Sequence, residues 1–575
     1  MKVVIVGGVA GGASAAARLR RLDETAQIVV LERSGYVSYA NCGLPYYVGD
    51  VIQEAGALSV QTPQSLAARF ALDVRVHSEV TAIDPARKTV SVRALDSGKT
   101  YEESYDKLIL APGARPVVPN LPGVELERVF TLRTVEDTLR IRQFVDSQSP
   151  QSATVIGGGF IGLEMAENLR ARGLHVTLVE KMDQLLGPLD ADMASFVHAK
   201  FLSEGVKLLL GSGAAGFEEK DGGIFTRLDN APGVQADMVV LAIGVAPDSQ
   251  LARAAGLELG AKGSIAVNER MQTSQMDIYA VGDAVQIRHL VSGQETLVSL
   301  AGPANKQGRV AADNICGLDS VYRASWGSSV VKLFDMTAAS TGLNERAAKA
   351  TGLNERAARA AGLAYEKIVL SPASHASYYP GGKVMTMKVL YEKGTLRLLG
   401  AQIVGFDGVD KRIDVLATAM QAGMSAVALK DLDLAYAPPF SSAKDPVNMA
   451  GFMAENIEKG LVKQFHYEDV AALPRDGSVT LLDARTPQEY AKGNAEGFVN
   501  IPVDELRARL GELEAGKPVY VMCQSGLRSY IACRILAQNG FECYNFSGGY
   551  RFYQSIRDHR FVENVRTSCG QESEH

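Results

Sequence analysis

One pattern occurs twice in this chain and constrains its fold more than any other feature. Lys2-Val3-Val4-Ile5-Val6 is a continuous apolar run, suited to a parallel strand buried on both faces. It leads into Gly7-Gly8-Val9-Ala10-Gly11-Gly12, an alanine-rich helix to about Leu22, and a second strand, Gln27-Ile28-Val29-Val30-Leu31, which ends at Glu32. The scheme returns as Ala153-Thr154-Val155-Ile156, then Gly157-Gly158-Gly159-Phe160-Ile161-Gly162, a helix from Leu163 to about Arg172, and His175-Val176-Thr177-Leu178-Val179 ending at Glu180. A strand that turns sharply into a helix presents backbone N–H groups and the positive helix end to a pyrophosphate. An acid about 20 residues further on is placed to bind ribose hydroxyls. The second copy has all three glycines of that pattern, whereas the first has Val9 in place of the middle one. The expected fold is therefore α/β, with two Rossmann-like dinucleotide-binding domains.

Length and composition set the remaining bounds. A chain of 575 residues suggests about four domains of ~150 residues. A net charge of −6 points neither to nucleic acid nor to an anionic membrane surface. No run approaches the ~18 apolar residues of a membrane helix. Met1 to Arg21 superficially resembles a secretion signal, but the glycines inside the run and the arginines after it read as strand, phosphate loop and helix. The six widely spaced cysteines make no disulfide framework, which fits free thiols in a reducing cytoplasm. No metal is expected.

A cysteine follows the first unit closely, in Ser38-Tyr39-Ala40-Asn41-Cys42-Gly43-Leu44-Pro45-Tyr46-Tyr47. The next cysteine in sequence is Cys316, so no local dithiol exists. If Cys42 is redox active, its partner sulfur comes from a substrate, a solvent oxidant or elsewhere in the fold. Three further stretches accompany it: Tyr105-Asp106-Lys107-Leu108-Ile109-Leu110-Ala111-Pro112-Gly113-Ala114, Val240-Leu241-Ala242-Ile243-Gly244 and Ile278-Tyr279-Ala280-Val281-Gly282-Asp283.

Together with two dinucleotide units about 150 residues apart, these stretches resemble the flavoprotein disulfide reductases, over residues 1 to about 455. The resemblance implies FAD on Gly7, Gly8, Ala10, Gly11, Gly12, Glu32, Arg33, Ala111, Gly113, Gly282 and Asp283. It implies NAD(P)H on Gly157, Gly159, Phe160, Ile161, Gly162, Glu164, Glu180, Lys181 and Gly244. Glu180 accepts bonds from a 2′-hydroxyl and repels a 2′-phosphate, which favours NADH over NADPH.

Within that superfamily the Cys42 segment is similar to the single-cysteine branch, closest to the coenzyme A disulfide reductases. Two later stretches support this, His375-Ala376-Ser377-Tyr378-Tyr379-Pro380-Gly381 and Tyr436-Ala437-Pro438-Pro439-Phe440-Ser441-Ser442-Ala443-Lys444-Asp445-Pro446. They imply an α+β dimerisation domain and a homodimer with shared active sites, in which Tyr378 and Tyr436 flank the partner's cysteine and Lys444 meets coenzyme A. By the same resemblance Ser14, Arg18, Arg21, Ser38 and Asn41 map onto coenzyme A positions, while a lysine of the family is Phe70 here. Arginine suits the phosphates of that substrate because its planar fork bonds them in pairs.

Residues 341–350 recur almost unchanged at 351–360, with Lys349 becoming Arg359. This reads as a local tandem duplication, each copy offering an asparagine, Asn344 or Asn354, as the cap of a short helix.

Past about residue 460 the character changes. A strand, Val479-Thr480-Leu481-Leu482-Asp483, runs into Ala484-Arg485, and another, Pro518-Val519-Tyr520-Val521-Met522, ends at Cys523-Gln524-Ser525-Gly526-Leu527-Arg528-Ser529, with a helix through Leu536. A cysteine closing a strand and opening a helix lies under converging N–H groups, which stabilise an anionic persulfide. Arg528 adds either a fixed charge or a structural bond. The region resembles a single α/β rhodanese domain, with Asn494 where that family usually has histidine. Cys533 and Cys543 read as structural, and Cys569 as part of a mobile polar tail.

The expected organisation is an FAD domain (1–112 and 240–320), an NAD(P)H domain (113–239), a dimerisation domain (321–455), a linker (456–470), a rhodanese domain (471–562) and a tail (563–575). The expected activity is NADH-dependent reduction of persulfide or polysulfide sulfur, with coenzyme A persulfide or disulfide among the substrates. The alternatives are a coenzyme A disulfide reductase with an accessory sulfurtransferase, and a sulfur-carrier protein with little turnover.

Overall fold

The computed structural model describes residues 1–348 and 365–559, so the second copy of the duplication and the tail with Cys569 lie outside the described residues. The chain divides into two units, Met1–Leu185 with Gly205–Ser325, and Leu186–Glu204 with Trp326–His575. No helix among the described residues is long and apolar enough to cross a membrane.

The first unit holds two parallel five-stranded sheets. In one the order is Ile278–Ala280, Lys107–Leu110, Lys2–Val6, Gln27–Leu31, Asp73–Arg75. In the other it is Lys207–Leu210, His175–Glu180, Ser152–Ile156, Met238–Leu241, Val129–Thr131. Val3, Val4 and Ile5 are fully buried, as the unbroken apolar run requires. The helices Ala10–Leu22 and Phe160–Ala171 follow the two glycine loops. In each loop the last glycine locks helix to strand: a Cβ on Gly12 would lie 1.9 Å from the Gly7 oxygen, and one on Gly162 would lie 1.8 Å from that of Gly157. Gly7 and Gly157 have φ of +97° and +113°, a region that L side chains rarely enter.

The second unit contains an antiparallel sheet of order Ser329–Leu333, Met336–Gly342, Leu398–Gly405, Met385–Glu392, Tyr365–Leu370. The helix Pro446–Glu458 is capped by Asp445, whose Oδ1 accepts from the Val447 N–H at 3.0 Å. In the first copy of the duplication Asn344 Oδ1 accepts from the Ala347 N–H at 2.7 Å and starts the short helix Glu345–Ala348. A parallel sheet of order Lys463–Phe465, Cys543–Phe546, Val519–Met522, Thr480–Asp483, Val499–Asn500 forms the C-terminal region.

The stretch expected as a linker, 456–470, is structured. The preceding helix runs to Glu458, Lys463–Phe465 is an edge strand and Tyr467–Val470 a helical turn. Phe465 anchors it, 3% exposed, in edge contact with Tyr520 and tilted against Phe546. A three-residue strand with one buried side chain leaves no periodicity to detect.

A fully buried lysine sits in the antiparallel sheet. Lys388 Nζ lies 2.7 Å from Asp192 Oδ2 and 3.1 Å from Asp190 Oδ2, and also pairs with Glu345, which Lys367 meets at 3.2 Å. Burial alone would raise the Glu345 carboxyl, but the two ammonium groups hold it at about 2. Among the described residues, removing the central cation leaves Asp190 and Asp192 without an ion pair, and Glu345 with Lys367 alone. Lys388→Met is therefore expected to destabilise the fold by about 3–5 kcal/mol, read as a lower midpoint in denaturant unfolding. Because Glu345 is depressed from an ordinary 4.5, its contribution is complete above that value and is lost as pH falls toward 2. The acid side of the stability profile should flatten in a Glu345→Gln variant.

Candidate active sites

The acid that ends each second strand is tied back to its own glycine loop. Glu32 Oε2 accepts from the Gly8 N–H at 2.8 Å and Oε1 from Ser34 at 2.9 Å, and its burial raises the carboxyl above the usual range. Glu180 Oε2 accepts from the Gly158 N–H at 2.6 Å and Oε1 from Met182 at 2.7 Å. Each carboxylate is thus oriented beside the loop that would hold a pyrophosphate, with lone pairs left for hydroxyl donors.

Gly7, Glu32, Arg33, Ala111 and Gly113 line one cavity of about 450 Å³. Gly8, Ala10, Gly11 and Gly12 belong to the same turn and first helix. Gly282 donates to Gln307 Oε1 at 2.7 Å, and the neighbouring Asp283 pairs with Arg133 at 2.9 Å. Two lining residues escaped the sequence reading, Arg133 and Asp248, the second paired with Arg33 at 3.0 Å. Both lie outside any recognisable pattern and join the site only through folding. The donor set and the glycine-walled cradle fit a flavin dinucleotide.

At the second loop a Cβ on Gly159 or Gly244 would meet open space, so the backbone there is free to approach a ligand. Phe160 and Ile161 open the helix, which carries Glu164, and Lys181 stands exposed after Glu180. These residues fit a nicotinamide dinucleotide. Glu164 accepts from the Tyr46 hydroxyl at 3.2 Å, and burial, aided by Glu167, lifts its carboxyl to about 7.

Cys42 sits in a single turn, Asn41–Gly43, leading into the short helix Leu44–Val48. Desolvation by its walls, then the charges of Glu164 and Asp283, raise the thiol above its usual value, with Arg133 opposing. Cys42 itself is exposed, and one acid from each dinucleotide motif disfavours its thiolate.

Ser14, Arg18, Arg21 and Ser38 converge with Phe70 on a separate pocket of about 360 Å³, which Arg69 and Arg309 also line. The last two were not singled out from sequence, being isolated arginines on the helices Pro63–Phe70 and Ala301–Ile315. Arg18 keeps one edge on Asp313, at 2.7 Å, and Ser14 bonds Asn305 Oδ1 at 2.6 Å. Asn41 lines the Glu32 cavity rather than this pocket.

In the second unit the Tyr378 and Tyr436 hydroxyls are 2.6 Å apart, with the side chains exposed. Cys523 is buried, and its Sγ accepts from the Gly526 N–H and the Ser529 hydroxyl, each at 3.2 Å. Gly526 has φ +96°, and a Cβ on Gly549 would lie 2.5 Å from the Ser525 nitrogen, so the loop is packed backbone to backbone. Gln524 Oε1 accepts weakly from Arg485 at 3.4 Å, and Leu527 starts the following helix with its side chain exposed. Arg528 forms a two-pronged pair with Glu489, 2.7 and 2.8 Å, which decides for a structural bond. Against its own burial, Glu489 is held at about 2 by that fork and by Thr486. Cys543 bonds the Cys533 carbonyl at 3.2 Å in the buried core. Asn494 bonds only weakly, to the Tyr490 carbonyl at 3.4 Å.

Residues 1–308 match the pyridine nucleotide-disulphide oxidoreductase model. The chain belongs to that family. Residues 328–446 match its dimerisation domain and 466–555 a rhodanese-like domain. The oxidoreductase part is 35% identical to a coenzyme A disulfide reductase of Staphylococcus aureus over 457 residues, 79% of this chain and all of that one. The reduced CoADR-RHD of Bacillus anthracis is similar over 98% of this chain and 99% of its own, at 47% identity and a TM-score of 0.91. A NAD-dependent persulfide reductase from A. fulgidus is similar over 96% of this chain and all of its own, at 39% identity and a TM-score of 0.89.

The tyrosine pair yields a direct expectation. The bond from Tyr378 raises the Tyr436 hydroxyl above its usual value. Tyr378→Phe should let Tyr436 ionise at lower pH, visible as an earlier phenolate absorbance rise in ultraviolet titration against a Tyr436→Phe control.

Proposed function

We propose that this oxidoreductase is a cytoplasmic homodimer that uses NADH to reduce persulfide or polysulfide sulfur at Cys42, with coenzyme A persulfide or disulfide among its substrates. The observation that carries this reading is the presence of two different sulfur sites in one chain: the exposed Cys42 in the turn Asn41–Gly43 after the first dinucleotide unit, and Cys523 under an N–H and a hydroxyl. The relatives named as a coenzyme A disulfide reductase and a persulfide reductase support it.

When bound, the flavin and nicotinamide supply the two electrons that restore the Cys42 thiolate. The chain supplies the rest. The two glycine loops take the pyrophosphates, and Glu32 and Glu180 take the ribose hydroxyls. Glu180 favours NADH by repelling a 2′-phosphate. Cys42 attacks the inner sulfur of a persulfide, so its S–S bond breaks, hydrosulfide leaves and a mixed disulfide forms. Two electrons and a proton then release the thiol. Glu164, its carboxyl lifted to about 7, is the half-buried acid that bonds Tyr46. The arginine pocket around Ser14 suits the phosphates of coenzyme A, and Tyr378 and Tyr436 serve the partner's Cys42.

A second reading, coenzyme A disulfide as main substrate, is favoured by the four arginines of that pocket, Arg18, Arg21, Arg69 and Arg309. Direct NADH oxidation with each acceptor separates the two. Cys42→Ser should lose more than ~99% of NADH-driven sulfur reduction while still retaining flavin absorbance, consistent with loss of the covalent nucleophile. Substantial residual polysulfide reduction would remove Cys42 from the reaction. Cys523→Ser should abolish sulfur transfer from thiosulfate to a thiol and leave reduction of coenzyme A disulfide nearly intact. Equal losses in both assays would show a single obligate relay.

A further inference from the structure

The helix Leu44–Val48, onto which the Cys42 turn opens, has only five residues. A helix that short does not hold itself in water, so its place is set by what packs on it. Its neighbours are two later helices, Val135–Gln148 and Phe160–Ala171, the second of which begins at the second glycine loop. Thr138, fully buried, donates its hydroxyl to the Leu44 carbonyl at 2.9 Å. Asn168 stands so close to the other end that a Cβ on Gly49 would lie 1.9 Å from its Oδ1.

The end of this helix is clamped. A helix leaves its last carbonyls without internal partners. Here two consecutive ones each meet a guanidinium group: Arg142 donates to the Tyr47 carbonyl at 2.7 Å, and Arg172 to the Val48 carbonyl at 3.1 Å. One carboxylate joins the two arginines, since Asp146 accepts from Arg142 Nε at 2.6 Å and from Arg172 Nη2 at 2.5 Å. Arg142 also donates to Asp50 Oδ1 at 2.8 Å and lies over the Tyr47 ring, 5.3 Å from its centroid. A single guanidinium thus spans a backbone carbonyl and two carboxylates, which its planar fork allows.

We propose that Arg142 and Arg172, joined through Asp146, are positioning residues for Cys42. They act through the helix, by fixing its far end. Gly43 closes the cysteine turn and Leu44 opens the helix, with no residue between them to absorb a rotation. The placement of the helix end therefore sets the direction in which the thiol points. A reacting group displaced by about 1 Å loses about a hundredfold in rate, so a frayed helix end costs turnover at Cys42. The flavin and nicotinamide sites, built on the glycine loops, do not depend on it. The inference rests on the reading of Cys42 as the nucleophile.

The test uses the full-length, flavin-loaded protein and two reactions. Reduction of coenzyme A disulfide by NADH needs Cys42, whereas reduction of ferricyanide by NADH draws electrons from the flavin without the thiol. Arg142→Met and Arg172→Met should each lower kcat for the disulfide by about tenfold or more, with KM for NADH and the ferricyanide rate within about twofold of the wild type. Arg142→Lys should recover part of that kcat, because an ammonium group still donates to the carbonyl but does not span all three acceptors. The thiol also reports directly through the pH midpoint of its alkylation by iodoacetamide, read by peptide mass spectrometry. That midpoint reflects the walls of the turn and the neighbours Tyr46, Glu164, Asp283 and Arg133. It should shift by about half a pH unit or more in the arginine variants, while that of Cys316 stays in place. Equal losses in both reactions, or an unmoved kcat and midpoint in both variants, would overturn the proposal. Should the arginine variants misfold, Thr138→Val removes only the hydroxyl on Leu44 and should show the same split between the reactions at about threefold, and its absence likewise overturns the proposal. If Cys42→Ser keeps disulfide reduction, the reading of Cys42 as nucleophile falls instead, and the alkylation midpoint still decides whether the clamp places the thiol.

Discussion

Both dinucleotide domains depend on one steric constraint, the close approach of helix to strand across a glycine loop. A Cβ on Gly12 or Gly162 would lie within 2 Å of the carbonyl oxygen of Gly7 or Gly157. Only glycine allows the helix to begin directly over the strand end, and that position aims its first N–H groups at a pyrophosphate. The acids Glu32 and Glu180 then close the loops from beneath through Gly8 and Gly158. A single backbone arrangement therefore sets the helix position, the cluster of N–H donors and the orientation of the acid together.

The two sulfur sites use opposite electrostatics. At Cys42 desolvation, then the charges of Glu164 and Asp283, raise the thiol, with Arg133 opposing. Cys523 lies under donors, the Gly526 N–H and the Ser529 hydroxyl, in a loop braced by the Arg528–Glu489 fork. The first arrangement opposes charge on the sulfur. The second places two hydrogen-bond donors on the sulfur.

The buried ion cluster around Lys388 shows what fold stability can hide from a pattern. The strand Met385–Glu392 is buried along its full length, with a lysine in its middle. Asp190, Asp192 and Glu345 come from distant segments to neutralise it. No periodicity announces such a set, because each member alone reads as a surface charge.

The sequence by itself determined the parts whose chemistry is local. The glycine loops, the acids that follow them, the Cys42 turn and the Cys523 loop were all legible, since strand, turn and helix neighbours define each within about 30 residues. The first copy of the duplication also has its asparagine cap as read. Only the tertiary structure decided what distant segments share. It brought Arg133 and Asp248 to the Glu32 cavity and Arg69 and Arg309 to the Ser14 pocket. It placed Asn41 with the first of these rather than the second, turned an expected linker into an edge strand, and made Arg528 a brace. The physical reason is the same throughout: a backbone turn is encoded by consecutive residues, whereas a side chain's partner is set by packing between segments that the chain order keeps apart.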